Sequence, residues 1–192
     1  MSLRSLLALP TLALIALGLS WGHSYAEPRD DSHVSEPPAH YNLGDVNMTL
    51  RRTTCFGSCP AYTLTIRGGG ACTLRGNGRQ PWTQEFSVDS TAAFNLLEDF
   101  YGADFFVLRK EYVESPWIRV SAGGNVVVLR GRITDMPHAF LTLSIMDYTR
   151  TIQTCCGFGP RSLQDIAERM DKLTDAKGRV QRQDQRDRSN LK

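Results

Sequence analysis

Cys55 and Cys59 stand four residues apart with Pro60 directly behind them, and thiols at this spacing could do three kinds of chemistry. As thiolates they would suit Cu(I), with a remote histidine, His138, as third ligand. As a dithiol they would exchange disulfides, which requires a lowered thiol pKa, commonly supplied by a helix N-terminus. As a disulfide they would close a short loop and fix a corner of the chain. The residues after Pro60 bear on the choice. "AYTLTIR" alternates apolar and polar side chains as a strand does, so no helix follows to stabilise a thiolate. Gly57-Ser58 gives the loop a tight turn. A bridge over so small a loop contributes about 2 kcal/mol in the loop-entropy account. The reading adopted is a structural Cys55–Cys59 disulfide. The alternative is a thiol-based copper or redox protein using Cys55, Cys59 and His138.

The other reactive residues are less suggestive. The count of five cysteines is odd, so at least one thiol is free or paired to another chain. Cys72 alternates onto the apolar side of "ACTLR" and reads as a buried, inert thiol. Cys155 and Cys156 precede a helical pattern. They read as disulfide partners or core residues, with a reactive thiol at the helix start as the sharper option. A closed zinc site needs four ligands, which only distant cysteines would supply. Asp135 lies near His138, but "ITDMP" is a turn sequence before it is an acid–base pair. No nucleophile elbow, zinc-protease helix or phosphate loop is present, so no catalytic residue and no cofactor is assigned.

The compartment supports oxidation. Met1–Arg4 is a short basic start, "SLLALPTLALIALGL" is uncharged and apolar, and Ser24-Tyr25-Ala26 places small residues where a signal peptidase reads. Residues 1–26 are therefore expected to be a signal peptide cut after Ala26, giving a periplasmic or secreted protein with no membrane-spanning segment left. Without Arg4, 21 basic residues face 20 acidic ones, a net of +1, which makes no case for nucleic acid. Residues 27–44 are polar and proline-containing and read as a flexible linker. Residues 175–192 carry six basic and three acidic side chains and almost nothing apolar, so a solvated, disordered tail is expected.

Residues 45–174 must then hold the core as a single α+β domain. "NMTLRRT", "AYTLTIR", "ACTLR" and "WTQEFSV" read as strands, the middle two joined by a turn at Gly68-Gly69-Gly70. Asp89 caps a helix whose stripe is Ala93, Phe94, Leu97, Phe100 and Tyr101. Between residues 103 and 136 only Val126–Arg130 reads as a strand. "AFLTLSI" and "YTRTIQTC" form a second hairpin around Asp147. Pro160 opens a second helix with Leu163, Ile166, Ala167, Met170 and Leu173 inward. The architecture expected is an antiparallel sheet of two hairpins plus extra strands, with two helices on one face.

Leu50–Gly70 closely resembles the start of a bacterial domain known as domain of unknown function 6438. The resemblance rests on C-x-G-x-C-P-x-Y, met here by Cys55, Gly57, Cys59, Pro60 and Tyr62. It continues through T-D-x-P at Thr134, Asp135 and Pro137, then Gly157 and Pro160 before the closing helix. It spans roughly residues 47–173, implies a secreted or envelope domain, and brings no activity with it. Cys72, Cys155 and Cys156 depart from the family pattern, and the 110–132 stretch is longer. The function expected is thus a non-enzymatic, disulfide-stapled binding or structural module. Its partner would be an envelope protein or cell-surface component. Inhibition of a cell-wall enzyme, with 110–132 entering a cleft, is a further alternative.

Overall fold

The computed structural model describes residues 36–55, 59–77, 81–133 and 136–189. The expected signal peptide, residues 27–35 of the linker, Gly57, Thr134 and Asp135 lie outside them. Along the chain run β1 (Val46–Arg52), β2 (Tyr62–Arg67), β3 (Ala71–Gly76), β4 (Trp82–Ser87) and α1 (Ser90–Gly102). There follow β5 (Glu111–Tyr112), β6 (Glu114–Val120), β7 (Val126–Arg132), β8 (His138–Ile145) and β9 (Tyr148–Cys155). The helices α2 (Arg161–Thr174) and α3 (Ala176–Ser189) close the order. This is the α+β class that the element pattern implies.

One seven-stranded sheet has the order β4-β3-β2-β1-β8-β9-β5, antiparallel except where β5 joins β9. Alternation along β1, β2, β3 and β8 sends Met48, Leu50, Leu64, Ile66, Leu74, Leu141, Leu143 and Ile145 into a core from which water is excluded. The other face is polar. Thr73, Thr65, Thr49, Thr142 and Thr151 form a row across neighbouring strands. The hydroxyls of Thr49 and Thr65 lie 3.1 Å apart, and those of Thr142 and Thr151 2.8 Å apart. Gly70 holds φ at 93° in the β2–β3 turn, and a Cβ there would collide with the Val88 carbonyl oxygen. Only glycine fits that corner without strain.

The Asp89 carboxylate caps α1, accepting from the N–H groups of Thr91 at 2.9 Å and Ala92 at 3.2 Å. The buried face of α1 differs from the expected stripe. Ala93, Leu96, Leu97 and Phe100 are inward, an i, i+3, i+4, i+7 set, while Phe94 and Tyr101 are exposed. The outer flank of the helix is served by aromatic contacts instead. Tyr101 meets Phe106 edge-on and shares a 2.7 Å hydrogen bond with Tyr41. Tyr41 and Leu43 pack against the core, so the folded region begins a few residues inside the expected linker.

Two further expectations need correction. The 103–136 region holds β5, β6 and β7 rather than one short strand, and β6–β7 is a separate antiparallel ribbon. The tail is not without structure: α3 spans Ala176–Ser189, making three α-helices rather than two among the described residues. Its few apolar residues suffice because they are placed at helical spacing, with Ala176 and Val180 buried. Arg179 adds a guanidinium 4.0 Å above the Phe86 ring, and Arg182 pairs with Asp175 at 2.7 Å. Among the described residues no helix is long and apolar enough to cross a membrane.

Candidate functional site

The C-terminal ends of β1 and β9 and the N-terminal ends of β2 and β8 meet at one end of the sheet, and Cys55, Cys59, Cys155 and Cys156 gather there. Cys55 and Cys59 are bonded to each other with their Cα atoms 5.5 Å apart, closing the connection from β1 to β2. Cys155 and Cys156 are also bonded to each other, at the end of β9. Cys72 keeps a buried free thiol, as its strand position implies. His138 begins β8 opposite Cys155. Its N–H donates to Thr53 Oγ1 at 2.9 Å, its carbonyl accepts from the Thr53 N–H at 3.0 Å, and its ring Nδ1 lies 3.0 Å from Gln153 Nε2. His138 thus shares a sheet end with Cys55 and Cys59. Among the described residues no three His, Cys, Asp or Glu side chains converge in an arrangement that would hold a metal.

Beneath this end lies a buried polar cluster. Tyr62 donates its hydroxyl hydrogen to Asp171 Oδ1 on α2. Arg52 donates to Asp171 Oδ2 through Nη2 at 2.7 Å and Nε at 3.0 Å, and to the Tyr62 oxygen at 3.1 Å. Lys177 reaches the same carboxylate at 3.1 Å from α3. The cluster ties β1, β2, α2 and α3 together immediately behind the disulfide loop. It also accounts for Tyr62, the last residue of the C-x-G-x-C-P-x-Y string, because its ring fills the core while its hydroxyl anchors the helix. Sequence reasoning did not single out Asp171. The available signal was a carboxylate next to Met170 in the buried stripe of α2, a position where an unpaired charge is not tolerated.

Burial, and then the adjacent Asp171 carboxylate, push the Tyr62 hydroxyl far above its ordinary value. The unfolded chain releases this proton near pH 10 while the folded chain retains it. Its contribution to stability is therefore complete below about pH 10 and declines as pH rises above that value. Urea melts at rising alkaline pH should show a steeper loss for the wild type than for Tyr62→Phe. Parallel curves for the two proteins would refute this assignment.

The remaining features lie on the surface. An open groove of about 650 Å³ between α1 and α2 is lined by Asn95, Glu98, Ser162, Asp165 and Arg169. Arg169 bridges it to Asp99 at 2.6 Å. The β6–β7 ribbon is different in kind. Trp117 is 62% exposed, Ile118 71% and Val120 63%, and Val126, Val127, Val128 and Leu129 on the facing strand are exposed as well. Apolar side chains cover both faces of this ribbon, since Trp117 and Leu129 point one way, Ile118 and Val128 the other.

Together these features define a small α+β domain with a disulfide-closed corner, a helix pinned by a buried ion cluster, and an uncovered apolar ribbon. The chain belongs to the family described as Domain of unknown function (DUF6438), whose model matches residues 46–174. The match begins on the first residue of β1 and ends on the last of α2, leaving α3 beyond it. A search of curated proteins finds no match.

Proposed function

We propose that this chain is an exported, disulfide-stapled, non-enzymatic binding module that docks onto a protein of the cell envelope through its β6–β7 ribbon. The observation that carries the reading is the ribbon itself. Large apolar side chains kept in water on two faces are costly unless a partner covers them, and patches of this kind mark interaction sites. The rest of the domain supplies rigidity, with the Cys55–Cys59 bond locking a corner of the sheet. The buried polar groups are satisfied by one another and Tyr62 and Asp171 are withdrawn from solvent, as suits a structural clamp. Export rests on the leader-like N-terminus and on cysteines paired as in an oxidising compartment. The thiol alternative has less support, because Cys55 and Cys59 are bonded, Pro60 leads into β2, and the His138 ring is engaged by Gln153.

The test is photocross-linking in cells that produce the protein. Benzoylphenylalanine replaces Trp117 on the ribbon in one variant and Glu85 on the polar sheet face in another. Adducts are expected at position 117 and not at position 85. Labelling at 117 no stronger than at 85 would remove the basis of the proposal. An inhibitor of a cell-wall enzyme would use the same ribbon, and the mass of the adduct distinguishes that case.

A further inference from the structure

We propose that the outer edge of β7 is the docking surface for a second copy of this chain, whose own β7 adds antiparallel to it about a twofold axis at Val128. The proposal rests on the reading of the ribbon as a docking element and takes the envelope protein it meets to be another copy of this chain. The backbone gives the first argument. The ribbon is bounded by hydrogen bonds from the Ser121 N–H to the Asn125 carbonyl and from the Ile133 N–H to the Val113 carbonyl, each 2.9 Å long. Antiparallel pairs alternate between bonded and non-bonded along the ladder. The bonded pairs are therefore Arg119 with Val127, Trp117 with Leu129 and Ser115 with Gly131. Val126, Val128 and Arg130 consequently turn their N–H and C=O groups outward, and among the described residues no strand receives them.

The two edges of the ribbon are not equivalent. On β6 the outward groups belong to Glu114, Pro116, Ile118 and Val120. Pro116 has no N–H to offer and Glu114 is charged, two devices that discourage an added strand. On β7 the outward groups belong to Val126, Val128, Arg130 and Arg132; this edge has charge at its far end as well, but it has no proline, and Val126–Leu129 is a run of four aliphatic residues. An incoming strand is thus directed to β7.

Symmetry then limits the register, and the aliphatic run selects within it. A twofold axis perpendicular to a sheet keeps each side chain on its own face, so the residue at the axis must oppose itself. With Val128 there, Val127 faces Leu129 of the other copy and Val126 faces Arg130, and no guanidinium opposes another. With Val127 there, Leu129 would face Asn125, and with Val126 there, Val128 would face Gly124, so both spend part of the aliphatic run on the turn; with Leu129 there, Val128 would face Arg130 and Val127 would face Gly131. The charges agree with the first register, because Arg130 and Arg132 are directed back to Glu114 at 4.0 Å and Glu111 at 3.2 Å. Pairing also converts a two-stranded ribbon, marginal on its own in water, into a four-stranded sheet with apolar side chains continuous across the seam.

Sedimentation equilibrium of the full protein, purified oxidised, tests this together with single substitutions. The wild type is expected to dimerise reversibly. Val128→Lys sets two ammonium groups against each other and should weaken the dimer at least tenfold while the far-UV circular dichroism is unchanged. Val128→Cys should cross-link two copies on oxidation, since facing bonded residues lie about 5.5 Å apart, within disulfide range. Ile118→Cys, on the same face but on β6, should not. A wild type that stays monomeric throughout its soluble range overturns the proposal, as does equal cross-linking from positions 118 and 128. An adduct at position 117 heavier than two copies, from a monomeric protein, replaces the second copy with a foreign strand and leaves the docking role standing. No adduct at position 117 from a protein that is also monomeric overturns both.

Discussion

Replacing Asp171 by alanine should destabilise the domain by about 3 kcal/mol, read as a fall in the urea midpoint, the low end of the range for breaking a buried ion pair. Three groups lose their acceptor at once: the Arg52 guanidinium, the Tyr62 hydroxyl and the Lys177 ammonium. Asp171 is only 6% exposed, so water does not replace it for Tyr62. Arg52 is 23% exposed and recovers some hydration, which is why the low end is expected. Domains of this size have only about 5–15 kcal/mol in total. If desolvation dominates this cluster, the combined Arg52→Met, Tyr62→Phe and Asp171→Leu variant should regain more than half of the loss, because no buried charge is left stranded. A triple variant no more stable than Asp171→Ala would show that hydrogen-bond geometry, and not the orphaned charge, sets the cost.

Phe100→Ala should cost about 3–5 kcal/mol through loss of apolar burial and the cavity left behind. Phe100 is fully buried and meets Phe105, also fully buried, edge-on with ring centroids 4.9 Å apart. The pair fixes both the helix and the chain leaving it. Phe94→Ala, at a site that is 45% exposed, should cost less than about 1 kcal/mol. Urea denaturation of the two variants checks which face of α1 is inward. Equal losses would contradict the helix orientation.

What could be read from the sequence was whatever leaves a local, one-sided pattern. β1, β2, β3 and β8 alternate because one face is buried and the other wet, and Asp89 marks the start of α1 by a contact only two residues long. Cys55 and Cys59 were legible because the loop between them is short. The rest lacked such a pattern for definite reasons. β6 and β7 bury neither face, so nothing forces their residues to alternate, and β6 contains Pro116, whose nitrogen points off the ribbon's edge. Asp171 is joined to Tyr62 across 109 positions, and pairing at that separation has no local signature. Phe94 and Tyr101 are as apolar as their buried neighbours, and only the path of the chain decides which side of α1 meets the sheet. α3 is strongly polar, and it is held by two inward residues, by Arg179 on Phe86 and by Lys177 on Asp171. The one thiol that pattern alone placed correctly in the core is Cys72.

The proposed export, and the stapled scaffold on which the docking role depends, are tested most directly by one measurement. The protein is taken from the cells that make it, alkylated under denaturing but non-reducing conditions, and its intact mass determined. The expected result is a chain beginning at Glu27 and carrying one alkyl group, on Cys72, with Cys55–Cys59 and Cys155–Cys156 closed. A chain beginning at Met1, or one with Cys55 and Cys59 both alkylated, would contradict it.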